Sequence, residues 1–434
     1  MTDLNQMSLP TARQSLKKDT VYVYIGHFLK YLSPLILIPY FSRVLGPEGY
    51  GQVLAAIALM SMVGVVLNYG FFFSGIRDMA SARSDRERGR ILGQQTFGRV
   101  LLLPIALAVG VLGTYYSPSL RANIWFGVFA TLLGFLYGFG FSWLFQGLRQ
   151  FKKAILLEAI VYPLNVVFAL LFVRKAEDGL YVLISLFVAV TISMLISLFY
   201  VRKEVSIFEG SFHSGAVEIK QTTILFITSM NATLLTVGST YVLSMMATPE
   251  QVGYYGSAEK FVTVAVGLLN PIGQVLMPTI SKLHKERAGH TLTLVKKGIL
   301  LELAYGLAGP LAGFTIAPFF LVLVLGEKFL PSVGLFQALV MILPFAALKH
   351  ALFFYVLVPL RKENHYLMVS LLNVAASLAF AFFLVPRIGA MGMAYARVLA
   401  EVAATFFLLG TLWRHGVIQK LRQCHAPQEE KAAP

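Results

Sequence analysis

Five cationic side chains, Lys30, Arg99, Lys260, Lys349 and Arg397, stand inside long apolar blocks of this 434-residue sequence. A charge at the centre of a membrane helix costs about 2.5–3.5 kcal/mol on insertion scales, so each must meet water, a partner or a ligand. Acidic residues in the same blocks are fewer: Glu158, Glu259, Glu302 and Glu401. A cavity richer in lysine and arginine than in carboxylate suits an anionic solute such as a phosphate or pyrophosphate, and suits a cationic drug poorly. Arg397 has Glu401 one turn on, an i,i+4 pair able to satisfy itself. Lys349 and Arg99 lie about two turns from cytoplasmic helix ends and can snorkel, but both stay on the list of substrate contacts. Lys260 follows Glu259 directly, and sequence neighbours on a helix point about 100° apart. Lys30 has no acid one turn away. These two lysines are the strongest candidates for an anion site. Glu158 and Glu302 are the candidates for ion coupling, although both sit close enough to cytoplasmic ends to be interfacial.

Polar residues recur at helical spacing around these charges. Ser257, Lys260, Thr263, Gly267, Asn270, Gln274 and Pro278 share one face of an otherwise Val, Leu, Ile and Met helix. Ser229, Thr233, Thr236 and Thr240 form a second stripe, His27, Lys30, Tyr31 and Pro34 a third, and Ser61, Gly64 and Asn68 a fourth. Stripes of Ser, Thr and Gly also let membrane helices pack closely. The Lys, Asn and Gln of the first face exceed what packing needs. The expected substrate contacts are therefore Lys30, Lys260, Tyr31, Asn68, Thr236, Asn270, Arg99 and Lys349. The eight His residues are scattered, and no HExxH, CxxC or paired-carboxylate spacing occurs. No catalytic residue, metal site or cofactor is expected, and the chain does not read as an enzyme.

The elements that position these residues are membrane helices. Hydrophobic residues make up 57% of the chain and charged ones 13%, about half the roughly 25% of a soluble protein. The apolar blocks reach 20 residues or more, enough to span the ~30 Å hydrocarbon core. They predict about twelve helices, near 20–42, 50–74, 91–116, 122–146, 155–173, 180–201, 221–246, 253–280, 299–325, 332–358, 366–385 and 390–413. The first stays as an anchor, since no cleavage site follows it. With a cytoplasmic amino terminus, 25 of the 36 Lys and Arg fall in cytoplasmic segments and 6 on the other side. That bias puts both termini in the cytoplasm and accounts for the +15 net charge without nucleic acid. Cys424 is the only cysteine, so no intramolecular disulfide forms. Trp125, Trp143 and Trp413 fall near helix ends, where indole rings anchor at the headgroups.

The chain also repeats. Pro47-Glu48 and Pro249-Glu250 are offset by 202 residues, as are Asn68 and Asn270, and Leu164-Asn165-Val166 echoes Leu372-Asn373-Val374 at an offset of 208. This predicts two parallel six-helix bundles, 20–201 and 221–413, joined by a cytoplasmic linker at 202–220 and flanked by cytoplasmic segments 1–19 and 414–434. Transporters built from repeats bind substrate between them.

The stretch Pro39-Tyr40-Phe41-Ser42-Arg43-Val44-Leu45-Gly46-Pro47-Glu48-Gly49-Tyr50-Gly51 resembles the signature after the first helix of Wzx-type polysaccharide repeat-unit flippases. These belong to the multidrug/oligosaccharidyl-lipid/polysaccharide (MOP) exporter superfamily. Val252-Gly253-Tyr254-Tyr255-Gly256-Ser257-Ala258-Glu259-Lys260 is similar to that family's opening of helix eight. Ser74–Ala80 and Leu276–Ser281 resemble its cytoplasmic ends of helices two and eight. The resemblance implies an all-α, MATE-like polytopic fold around a central cavity, in the bacterial inner membrane. It implies an undecaprenyl-pyrophosphate-linked oligosaccharide flipped from the cytoplasmic to the periplasmic leaflet by ion-coupled alternating access, with membrane lipids and the polysaccharide polymerase machinery as partners. Lys30 and Lys260 would then meet pyrophosphate or acidic sugars, and Tyr31, Asn68, Thr236 and Asn270 would bind hydroxyls. A drug or metabolite antiporter of the same fold and a membrane enzyme of polysaccharide assembly are the rival readings.

Overall fold

The computed structural model describes residues 9–285, 291–414 and 416, with side chains from Ile36 onward except Gln274 and residues 284–285. Among the described residues ten helices are long and apolar enough to cross a membrane. They are Ile36–Asn68, Asp85–Tyr116, Ile124–Gly147, Phe151–Phe172, Ala176–Glu204, Phe212–Met246, Pro249–Leu283, Thr291–Thr315, Pro331–Leu357 and Glu363–Arg414. In hydrocarbon only structures that satisfy their own backbone survive, and uninterrupted helices do so.

Two of these helices are longer than one crossing needs. Leu9–Asn68 has 60 residues and Glu363–Arg414 has 52. At 1.5 Å per residue, 52 residues extend about 78 Å, more than twice the hydrocarbon thickness. Each contains a backbone break. Gly46 takes φ 67°, which glycine adopts without strain, and Pro47 then starts the next helical stretch. In the second long helix the break falls at Ile388 and Gly389, where Gly389 has φ 58°.

The chain divides into two compact units. The first runs to Gly253 and takes in Val324–Lys328; the second is Tyr254–Leu323 with the chain from Phe329 onward. Helix Phe212–Met246 is fastened inside the first unit along its length. Glu218 accepts a hydrogen bond from Ser74 at 2.8 Å, and the Phe226 ring stacks on Tyr69 at 4.1 Å. Further along, Tyr241 donates to the Gly113 carbonyl at 2.8 Å, and Ser117 and Ser244 share a 2.9 Å bond. Met79, Leu92, Trp143, Phe145, Leu157 and Val201 make a core for this unit. Trp143 is thus 1% exposed in packed side chains rather than anchored at the headgroups, whereas Trp125 and Trp413 are exposed. The second unit builds its own core from Ile280, Val295, Tyr355, Val369, Ala404 and Leu408.

The repeat is visible as geometry. Asn68 and Asn270, one repeat apart, both stand where a helix is interrupted. The Asn68 side chain accepts from the Phe72 amide at 3.1 Å across the break at Tyr69-Gly70. Asn270 donates to the Gly267 carbonyl at 3.2 Å, where helix Pro249–Gly267 gives way to Leu269–Lys285. The Pro-Glu turns meet reciprocally within the first unit. A Cβ on Gly51 would lie 1.8 Å from the Pro249 carbonyl oxygen, and one on Gly253 would lie 2.0 Å from that of Pro47. Only glycine lets these backbones approach so closely. Gly253→Ala should therefore destabilise the chain by about 1–3 kcal/mol, the usual cost of overpacking. The check is the apparent melting temperature in detergent. Gly267→Ala, whose Cβ would meet nothing within 4 Å, should melt close to wild type. Equal melting of the two variants would refute the close contact.

Candidate functional site

Charged side chains buried in each unit are held by partners from other helices. In the first unit Arg99 is 3% exposed. Its Nε donates to the Gly138 carbonyl at 2.7 Å, and its Nη1 to the Gln95 carbonyl at 3.2 Å and to Gln95 Oε1 at 3.3 Å. The guanidinium lies over the Phe71 ring at 5.1 Å and the Trp143 ring at 5.8 Å, a cation–π sandwich. Gln95 Nε2 donates to the Phe71 carbonyl at 3.0 Å and reaches Ser74 Oγ at 3.4 Å, and Ser74 in turn donates to buried Glu218. Arginine and glutamate thus terminate one hydrogen-bonded chain. Glu218 escaped the sequence reading because it was counted with the linker. The helix begins earlier, at the Ser211 cap that accepts from the Ser214 amide at 3.1 Å.

In the second unit Lys349 and Glu401 form a buried salt bridge at 2.8 Å, and Asn373 donates to the other Glu401 oxygen at 2.7 Å. Lys349 therefore does not snorkel. Glu401 is also not the partner of Arg397; the Arg397 Nε lies 3.9 Å from Glu259, which accepts from Tyr255 at 3.2 Å. The local i,i+4 pair loses because helix Glu363–Arg414 presents Glu401 to the facing Lys349.

Glu302 is fully buried within the second unit, at 0% exposure. It sits midway between Gly298 and Gly306 on one helical face. A Cβ on Gly298 would lie 2.9 Å from the Tyr355 ring, and one on Gly306 2.9 Å from the Ala347 Cβ. Small residues at four-residue spacing let two membrane helices close on each other. That approach seals the carboxylate against His350 Nδ1 at 2.8 Å and the donating Tyr355 hydroxyl. Neither His350 nor Tyr355 was singled out from sequence, although a histidine beside an intramembrane lysine was a readable signal.

The remaining expected site residues lie apart from these clusters. Lys260 is half-buried and Asn270 exposed on their helix. Thr236 is exposed within the π-helical turn Leu234–Gly238, its hydroxyl on the Ala232 and Thr233 carbonyls at 3.0 and 3.1 Å. Such turns are rare and concentrate at functional sites. Glu158 is exposed, not enclosed as Glu302 is. The side chains of Lys30 and Tyr31 lie outside the described residues. A groove of ≈ 430 Å³ is walled by Leu156, Leu157, Ile160 and Ile196 with Lys153 beside it, an apolar slot next to a cation.

A family model described as polysaccharide biosynthesis protein matches residues 16–284. The chain belongs to this polysaccharide biosynthesis family. It is 25% identical over 401 residues to a Shigella dysenteriae protein provisionally named an O-antigen transporter, covering 91% of this chain and 99% of that one. An Escherichia coli K12 protein of the same provisional name is 25% identical over 304 residues, covering 67% of this chain and 70% of the other. Among solved structures, an inward-facing MATE family transporter of the MOP superfamily superposes with a TM-score of 0.67 at 14% identity, covering 93% of this chain and 99% of that one. The lipid II flippase MurJ in an inward closed conformation gives the same score and identity, covering 90% and 87%. These establish the MOP fold. With the family match they agree with the resemblance read from the motifs: a multi-pass membrane protein of polysaccharide biosynthesis.

The buried Lys349–Glu401 pair makes a prediction for this family member. Lys349→Met alone strands a carboxylate and should cost about 3–5 kcal/mol, whereas Lys349→Met with Glu401→Gln should recover most of the loss. Detergent melting of the two single variants and the double variant forms the cycle. Additive losses would show that the pair is not coupled.

Proposed function

We propose that this protein flips an undecaprenyl-pyrophosphate-linked oligosaccharide repeat unit from the cytoplasmic to the periplasmic leaflet of the bacterial inner membrane. The observation that carries the reading is the family match together with relatives provisionally named O-antigen transporters, one aligned over nearly its whole length. Lys30 and Lys260, both set in apolar stretches of the sequence, support an anionic, pyrophosphate-bearing substrate. Splitting the two long helices at Gly46 and Gly389 gives twelve crossings, an even number that agrees with both termini in the cytoplasm. The six-helix bundles at 20–201 and 221–413 alternate access in this proposal.

Within it, Lys30 and Lys260 receive the pyrophosphate or acidic sugars. Tyr31, Asn68, Thr236 and Asn270 meet hydroxyls while the lipid tail stays in the bilayer. Arg99 and Lys349 are reassigned from substrate contact to helix positioning, since protein partners already meet their charges. Ion coupling goes to Glu302, with exposed Glu158 as the alternative. The polymerase machinery receives the product.

Complementation of a flippase-null strain tests the reading. Wild type restores surface polysaccharide; Lys260→Ala and Lys30→Ala remain inserted at normal levels and lose most of it. Full function of both variants rules out the lysine site. Drug resistance conferred on a pump-deleted host, without complementation, favours the antiporter instead. A reporter fused after Arg121 should read periplasmic and one after Lys203 cytoplasmic, and the reverse would overturn the orientation.

A further inference from the structure

We propose that Glu302, His350 and Tyr355 form one proton-binding site in the second unit, and that the ion this site takes is a proton rather than a metal cation. The inference rests on the coupled-transport reading only for what the proton drives; proton binding itself is independent of any sugar.

Charge is the first argument. Among the described residues three carboxylates of this unit are buried: Glu259, Glu302 and Glu401. Lys349 answers Glu401 at 2.8 Å, and Arg397 approaches Glu259 at 3.9 Å. Glu302 has an imidazole and a phenol instead. With His350 neutral the trio holds an uncompensated negative charge away from water, a costly state inside a membrane. One proton cancels it.

Hydrogen bonding is the second. One Glu302 oxygen accepts from Tyr355 and the other faces His350 Nδ1, so both are engaged by protein. A hard cation collects several oxygen ligands, whereas this pocket offers a carboxylate already occupied, a ring nitrogen and a phenol. His350 Nε2 is buried with no hydrogen-bond partner. With Nδ1–H donating to the carboxylate, that nitrogen carries an open lone pair able to accept a proton. The proton adds to the imidazole, Glu302 stays its counter-ion, and no other bond changes.

Placement is the third. The imidazole packs on Phe354 at 4.6 Å and against the backbone of helix Leu269–Lys285, where a Cβ on Gly273 would lie 2.6 Å from its Cε1. Gly273 follows Asn270 by three residues on the same helix, buried where Asn270 is exposed, so the ring packs against the helix that carries the proposed substrate face. Tyr355 lies in the π-helical turn Phe353–Leu357, a form that is rare and concentrates at functional sites. The other titratable and charged side chains on the surrounding elements are Lys296, Lys297 and Tyr305 on the Glu302 helix and Lys349 beside His350. Lys282, His284 and Lys285 lie on Leu269–Lys285, and Glu363, His365, Tyr366, Arg387, Tyr395, Arg397, Glu401 and Arg414 on Glu363–Arg414.

The test uses the purified full chain in proteoliposomes, without lipid-linked sugar, and follows proton uptake after a pH jump with a pH-sensitive dye. Wild type should take up a proton, equally in sodium and in potassium buffer. Glu302→Gln and His350→Gln, checked for folding by size-exclusion chromatography, should lose that uptake. Tyr355→Phe, which keeps the ring, should shift the uptake midpoint by about one pH unit, a tenfold change in proton affinity. Wild-type uptake in folded His350→Gln, an unmoved midpoint in Tyr355→Phe, or a sodium requirement in wild type overturns the proposal. Should the two glutamine variants fail to fold, Tyr355→Phe and the sodium comparison decide it. Loss of complementation by the wild-type chain, with proton uptake intact, would sink the flipping reading and leave this one standing.

Discussion

Every charge carried into the hydrocarbon has to be met there, and the architecture of both units follows from that requirement. In the first unit the requirement produces a hydrogen-bonded chain from Arg99 through Gln95 and Ser74 to Glu218, closed by two aromatic faces. In the second it produces the Lys349–Glu401–Asn373 cluster and the sealed Glu302. Each cluster joins helices distant in sequence, so the charges specify which helices meet. Removing one member leaves a buried ion with no counter-charge, which costs more than the pair contributes when intact. Such clusters tolerate replacement of both partners better than of one.

Much of this was legible in the sequence, and the reason is physical. Helix length and apolarity are imposed by bilayer thickness, so blocks of about 20 apolar residues translate directly into spans. The Gly46-Pro47 turn and the repeat at offset 202 were legible for a similar reason, since backbone breaks and close approaches admit few residue types. Partner choice was not legible. Arg397 and Glu401 stand one turn apart and read as a pair, but Lys349 comes from another helix, and nothing in linear spacing records that. Trp143 lies near a span end as an anchor would, but its ring is consumed in packing beneath Arg99. Glu218 was lost to the linker because loop charges are read as solvated by default.

Duplication leaves its clearest trace in backbone rather than side-chain chemistry. Asn68 and Asn270 bridge helix interruptions in corresponding places, and Gly51 and Gly253 exchange contacts with the opposite Pro-Glu turns. At another matched pair the Asn373 Nδ2 donates to Glu401, and the Oδ1 atoms of Asn373 and Asn165 are both buried without a hydrogen-bond partner. Lys260, proposed for substrate, and the Glu302–His350–Tyr355 site, proposed for the proton, both lie in the second half.

In the proposed function Lys30 and Lys260 receive an anionic lipid-linked sugar. Reconstitution of the purified chain in liposomes with a fluorescent undecaprenyl-pyrophosphate oligosaccharide in one leaflet tests it most directly, read by the label becoming accessible to a membrane-impermeant quencher on the opposite side. The account predicts transfer that depends on the folded chain and is lost when the pyrophosphate is replaced by an uncharged linkage. Equal transfer of the uncharged lipid, or no transfer of either by the intact protein, would contradict it.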